Sequence, residues 1–178
     1  TLRGKLKMKK YFNKQNNMRL IKPSLKYKAS FIKALKEFEK EGLYNEGDPD
    51  DIQGYIKKAQ QYEKAEKLPK GIVRESKLWL VDKNQFIGRI GIRHTLNGKL
   101  KKFGGHIGYV IRPSKRKKGY GYKALELALK KAKIIGLEKV MVTCDDDNIA
   151  SQKIIEKYGG KLKSKRTHEG TLTRHYWI

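Results

Sequence analysis

The sequence is poor in the residues that make covalent or metal frameworks. It has one cysteine, Cys144, so no internal disulfide can form and no cysteine-based zinc site is available. That usage suits a reducing cytoplasm, the expected location. Apolar runs near the length of a membrane span are missing, as is an apolar signal core near Thr1, so no membrane partner is expected. Acids are scarce: 18 Asp and Glu face 43 Lys and Arg, a formal net charge of +25. Arginine is scarce too. Only nine of the basic residues are Arg, the type that reads phosphates and guanines with a two-pronged geometry. A lysine surplus spread along the chain supports solubility and loose attraction to anions. It does not define a specific nucleic-acid reader.

What is present is one domain's worth of alternating patterns. Residues 1–17 carry six cations, no acid and no apolar periodicity, and read as a basic leader; the domain is expected over 18–178. Met18 to Ser24 reads as a short strand ended by Pro23, after which Ser24 can cap a helix with Tyr27, Phe31, Leu35 and Phe38 on one face. Gly42 stops it. A second helix starts at Asp50 or Asp51, with Ile52, Tyr55, Ile56, Ala59 and Tyr62 at helical spacing, and Pro69 and Gly71 end it. From Lys77 the period becomes that of strands: LWLVD and FIGRIGIRH flank Lys83–Asn84 as a hairpin. A loose loop, LNGKLKKFGG, precedes the strand His106 to Ile111. The next helix points Leu125, Ala128, Leu129 and Ala132 inward and ends at Gly136. KVMVTC is a buried central strand, IASQKIIEKY a short helix closed by Gly159–Gly160, and KLKSKRT and LTRHYWI a terminal hairpin. The fold class is therefore α/β, a single mixed, mostly antiparallel sheet flanked by helices, in the order β-α-α-β-β-β-α-β-α-β-β.

One stretch asks for a ligand. In SKRKKGYGYKAL four consecutive cations, Lys115 to Lys118, run into Gly119 and Gly121 and then into a helix. A helix N-terminus offers unpaired N–H groups and the positive end of the dipole, and glycines let backbone approach an anion closely. A dinucleotide fingerprint is poorly matched, with Ala124 in the third glycine position, which tolerates alanine, and only Asp145 in range for the expected acid; no Walker loop is present. Arg116-Lys117-Lys118-Gly119-Tyr120-Gly121 instead resembles the pyrophosphate-binding signature R/Q-x-x-G-x-G/A of the GNAT superfamily of N-acetyltransferases. The second family signature is matched by Asn148 to Ser151, opening a short helix that runs through Glu156, Lys157 and Tyr158 to Gly159. The resemblance spans Met18 to Ile178 and includes the element order, hence an acyl-CoA N-acyltransferase fold.

The resemblance implies acetyl-CoA as cofactor and an amine acceptor that the sequence does not name. By carry-over the backbone of Tyr109, Val110 and Ile111 binds the pantetheine arm, and Asn148 and Ser151 meet it from the other side. Residues 117 to 122, including Tyr120 and Tyr122, wrap the pyrophosphate, with Arg116, Lys117, Lys118 and Lys123 supplying charge. The strands HIGYVI and KVMVTC would splay to admit the arm. No metal site is expected: Asp145 to Asp147 lack calcium-loop spacing.

Acetyl transfer needs a deprotonated amine, a polarised thioester carbonyl and a proton for the leaving thiolate. An amine with a reference pKa of about 10.4 is mostly protonated at neutral pH, so a base is required. His106 is the expected base, in the place where "EIGY" strands of the family carry Glu; His94 is the runner-up. A backbone N–H near Val110 would polarise the carbonyl. Many relatives keep a tyrosine in the last helix as the thiolate's acid, where this chain has Ile155; the proton is then expected from water or from Tyr158, one turn later, a residue that also reads as a packing residue. Trp79 and Trp177 read as core aromatics and Cys144 as a buried strand residue. Two other readings stand beside catalysis: a non-catalytic acyl-CoA-binding regulator and a basic nucleic-acid-associated module. The oligomeric expectation is a monomer or homodimer.

Overall fold

The computed structural model of the chain describes residues 17–43 and 47–178. All of the expected leader except Asn17 lies outside the described residues. Seven strands form one sheet: β1 (Met18–Ile21), β2 (Glu75–Asp82), β3 (Gln85–Arg93), β4 (Ile107–Ile111), β5 (Met141–Asp145), β6 (Lys161–His168) and β7 (Thr171–Trp177). Their order is β1-β2-β3-β4-β5-β7-β6. Every pair is antiparallel except β4 with β5, which is parallel.

Strand alternation gives the sheet two apolar faces. Helices α1 (Lys28–Lys40) and α2 (Ile52–Lys64) cover one. There Phe31, Leu35 and Phe38 pack on Trp79, Val81 and Phe86, with the Phe31 and Trp79 ring centroids 4.4 Å apart. The other face carries α4 (Tyr120–Ile134) and α5 (Ile149–Lys157). Ala124, Leu125, Ala128 and Ala132 of α4 pack with Leu78, Leu80, Ile90, Ile92 and Ile107 of the sheet. Small residues on the inner face of α4 let that helix lie close to the strands.

Local signals act as the residue types require. Asp51 caps α2 by accepting from Gly54 N–H at 2.8 Å. Gly136 and Gly159 follow α4 and α5 in left-handed backbone, at φ 89° and 84°. Four features differ from expectation. Ser24 caps a single 3-10 turn, Leu25–Tyr27, and α1 starts only at Lys28. The loop before β4 contains a short helix, α3 (Gly98–Phe103), because Asn97 accepts from Leu100 N–H at 3.0 Å. Strand β2 begins at Glu75, two residues before the visible change of period. Trp177 is not a core residue; it stays 37% exposed, since its position on β7 leaves the covered sheet faces, and its ring leans on His106.

Candidate active site

The site follows from where β4 and β5 meet and where they part. Their register contains one pair, Ile107 with Val142. Just before it, His106 N–H donates to Met141 C=O at 2.7 Å, and Met141 N–H donates to His106 Nδ1 at 2.9 Å. Above that junction no further residues pair, so a gap opens along β4 toward Ile111. Ladder bonds from Arg93 N–H to His106 C=O and from Arg112 N–H to Ile87 C=O fix the alternation along β4. From Gly108 onward, peptide groups of even-numbered residues face β3, and those of Tyr109 and Ile111 face the gap. Of the three expected pantetheine residues, Val110 therefore turns its peptide groups toward Arg89, its partner on β3. The same geometry removes its N–H as a carbonyl polariser in the gap.

The gap opens at the glycine turn. A 3-10 turn, Pro113–Lys115, leads into it, and Lys117 and Gly119 are both left-handed, at φ 58° and 79°. Gly119 precedes α4 with no side-chain cap, so first-turn N–H groups are directed outward. At Gly121 a Cβ would come 2.8 Å from Ile154 Cδ1 and 4.0 Å from the Tyr109 ring, so the helix start sits close to both walls of the gap.

The cations of the turn do different work. Arg116 pairs with Glu41 at 2.7 Å and donates from Nε to Ile111 C=O at 3.1 Å, fastening the turn to α1 and to the end of β4. Lys118 Nζ donates to Ser114 C=O at 2.8 Å, and Lys123 pairs with Glu126 at 3.1 Å. The strongest clamp was not visible in the sequence. Glu37 Oε1 accepts from Arg112 Nη2 and Nε at 2.6 and 2.8 Å, and Ser114 donates to Glu37 through N–H and hydroxyl, each at 3.1 Å. Hydrogen bonding from Arg112 pulls the Glu37 pKa down to about 2.

The opposite wall is α5. Asn148 caps it, accepting from Ser151 N–H at 3.0 Å, which holds Ser151 in the first turn. The Tyr109 hydroxyl reaches Ser151 Oγ at 3.5 Å, a long contact across the α5 side of the gap. Burial pushes the Tyr109 pKa up to about 12, so this hydroxyl keeps its proton. Tyr158 lies at the other end of α5, half-buried, with its pKa raised by burial and then by Glu126 and Tyr122 of α4. Cys144 is buried, and burial pushes its thiol up to about 11.

His106 does not meet the requirement for a base. Only 8% of it is exposed, and Met141 N–H occupies the Nδ1 lone pair, which places the neutral ring's hydrogen on Nε2. Neither nitrogen of that ring is left to take a proton from an amine. Burial, then the Arg93 charge, lowers its pKa, favouring the same neutral state. His94 fails by position. Its Nε2 lies 2.9 Å from Ser76 Oγ, which donates to Glu63 at 3.2 Å. Ser76 shares the α4 face of β2 with Leu78 and Leu80, across the sheet from Val110.

On the α2 face, beside the gap, is a cavity of about 190 Å³ whose lining includes Tyr55, Glu75, Lys77, Gly108 and Val110. Among the described residues lining it, Glu75 is the one carboxylate, and no motif in the sequence singles it out. Carrying period-two alternation back from Trp79 would have placed Glu75, Lys77 and Trp79 on one face. A larger hollow of about 340 Å³ lies on the outside of α2 near Lys57, Tyr62 and Pro69, away from the gap. Among the described residues no group of three His, Cys, Asp or Glu could hold a metal, and no helix is long and apolar enough to cross a membrane.

A family model for the acetyltransferase (GNAT) domain matches residues 31–161, well over half of the chain. The chain belongs to the GNAT acetyltransferase family. Solved structures agree in fold at low identity. A GNAT-family acetyltransferase from Bordetella pertussis is 13% identical with a TM-score of 0.66, covering 91% of this chain and 95% of that one. The microcin C7 self-immunity acetyltransferase MccE, solved with acetyl-CoA and AMP, is 15% identical with a TM-score of 0.66 and 93% coverage of each chain. YncA from Salmonella typhimurium, solved with acetyl-CoA, is 12% identical with a TM-score of 0.62, covering 92% of this chain and 94% of that one. No curated protein sequence matches the chain.

Proposed function

We propose that this GNAT protein transfers the acetyl group of acetyl-CoA to a primary amine, directly, in a ternary complex. The observation that carries this reading is the parting of β4 and β5 above the His106–Met141 junction, with the uncapped start of α4 at the open end. The residues present fit the cofactor. Left-handed backbone at Lys117 and Gly119 bends the turn into a concave run of N–H groups, suited to a pyrophosphate. Lys117, Lys118 and Lys123 add positive charge around it, while Arg116 and the Glu37–Arg112 pair hold the turn in place. Tyr109 and Ile111 offer peptide groups to the pantetheine arm, and Asn148 sets the α5 wall that faces them.

Acetyl-CoA supplies an activated thioester when bound. Residues of this chain then have to hold the arm, keep water out and move protons. The departing thiolate requires a proton, and we assign its delivery to the Tyr109–Ser151 pair, which joins both walls of the gap and is reprotonated by the proton that the newly acetylated nitrogen loses. Tyr158, at the far end of α5, packs against α4 in this scheme. The protein acts in the cytoplasm, a reducing compartment that suits its one free thiol, as a monomer or homodimer.

Calorimetry with coenzyme A tests the cofactor site. The wild type is expected to bind one equivalent, and Gly121→Val to bind at least about ten-fold more weakly, since an isopropyl group then stands between the helix start and the Ile154 and Tyr109 side chains at the gap. The variant should fold, because its closest neighbour, at 2.8 Å, is the end of the flexible Ile154 side chain. Unchanged affinity in a folded variant overturns the assignment. Free-thiol release with an amine panel separates a transferase from a regulator that binds coenzyme A without turnover.

A further inference from the structure

Gly88, Gly91 and Gly108 all stand where β3 pairs with β4, and the chain itself explains the first two. At Gly88 a Cβ would come 2.5 Å from the Val110 carbonyl oxygen and 3.3 Å from Ile111 Cα, so neighbouring backbone forbids a side chain. At Gly91 a Cβ would run into Oε1 of Glu75, whose side chain lies over that Cα. Gly108 has no such reason. Its backbone is ordinary strand backbone, not left-handed, and among the described residues a Cβ there would meet nothing within 4 Å. A strand glycine gives up side-chain contacts and loses more chain entropy on folding than any other residue. One that no neighbour requires marks a place where another molecule comes close.

Position says which molecule. Gly108 is the first residue of β4 above the one β4–β5 pair, Ile107 with Val142, so it stands at the foot of the gap. It alternates with Val110 toward α1 and α2, whereas Tyr109 turns to the opposite face, where its hydroxyl reaches Ser151 of α5. Tyr109 and α5 thus occupy the α4–α5 side of the gap. The α1–α2 side carries the cavity of about 190 Å³, whose lining includes Gly91, Gly108 and Val110. An amine coming to a thioester held in the gap has that side to come from, and it passes over the bare Cα of Gly108.

We infer that Gly108 determines acceptor specificity, and that its bare Cα admits a primary amine borne on a branched carbon. The inference rests on the acetyl-transfer reading above. An unbranched CH2–NH2 end is slim and leaves the space above Gly108 empty. A substituent on the carbon next to the nitrogen reaches sideways from the line of attack. The missing Cβ leaves room for it, and filling that room from the substrate side recovers the contacts the strand gave up. The acyl group of the donor is the other moiety that could use this space.

Isomeric amines test the inference because they match in size and charge. Thiol release with acetyl-CoA, read as kcat/KM, compares Ala-Gly-amide with Gly-Ala-amide and sec-butylamine with n-butylamine. Branching by itself hinders attack, so a preference for it has to come from the site. The branched member is expected to react about ten-fold better in at least one pair. Gly108→Ala should lower that ratio about ten-fold, with coenzyme A affinity unchanged. Its unfolding midpoint should be equal or higher, since the added methyl enters open space. A lower midpoint with an unaltered ratio would make Gly108 a structural glycine and overturn the inference. So would a variant in which the acetyl-CoA to propionyl-CoA ratio moves and the amine ratio does not, because the space then belongs to the donor. Equal or reversed amine ratios in both pairs of the wild type overturn it as well. Each of these outcomes leaves the transfer reading standing. Failure of that reading looks different: coenzyme A does not bind, or no amine of either pair releases thiol, and the acceptor role of Gly108 falls with it.

Discussion

Met141 N–H donates to His106 Nδ1 at 2.9 Å, and this side-chain bond stands where a backbone ladder would otherwise continue. The residue expected as the base is thus a positioning residue. It joins β4 to β5 at their lower end and fixes the point from which they separate. Removing the ring leaves a buried N–H without its acceptor, a loss of about 1–3 kcal/mol.

His106→Ala is accordingly expected to lower the unfolding midpoint and weaken coenzyme A binding together. His106→Gln, whose amide oxygen can accept from Met141, should restore much of both. The linkage has a defined sign. Because the folded pKa is lowered below the ordinary 6.5, the unfolded chain binds more protons. The stability contribution is full above pH 6.5 and is lost as pH falls through the lowered folded value. Denaturant melts of wild type and His106→Gln across this window check it: the wild-type slope should flatten in the variant.

Glu37 predicts a second, more acidic limb. Its folded pKa of about 2 lies below the ordinary 4.5, so its stabilisation is present above pH 4.5 and is lost as pH falls toward 2. Partial solvent exposure of the pair keeps the effect to about 1–2 kcal/mol. Glu37→Gln should remove that part of the acid dependence in urea titrations. It should also weaken coenzyme A binding, since Arg112 and Ser114 lose the group that ties the turn to α1.

The two hydroxyl sets can be separated kinetically. Ser151→Ala is expected to reduce turnover by about 10-fold or more with little change in coenzyme A affinity, as loss of a proton-transfer partner should. Tyr158→Phe should leave turnover within about two-fold. Steady-state thiol release for both variants decides between them. The opposite ranking would return thiolate protonation to Tyr158.

Much of this protein was written in one dimension. Phe31, Leu35 and Phe38 recur at helical spacing and all three are buried; the period-two pattern around Trp79 gave a strand; Gly136 and Gly159 ended their helices in left-handed backbone. The glycine turn after β4 was legible because a helix start and two glycines are local features. The chemistry of individual side chains was not. Lys77 looked like the first strand residue because Glu75 and Ser76 have weak strand preference, yet pairing with Arg93 and Ile92 draws both into β2. That pairing sets Glu75 over Gly91.

The sequence by itself determined the order of the elements, their buried faces and the place of the phosphate turn, since each depends on residue type at short spacing. The tertiary structure alone decided which polar groups meet. Glu37 and Arg112 are 75 residues apart, and His106 and Met141 are 35 apart. Whether an imidazole is a base or a strand joint depends on which N–H reaches its lone pair, and only the folded sheet brings that N–H to it.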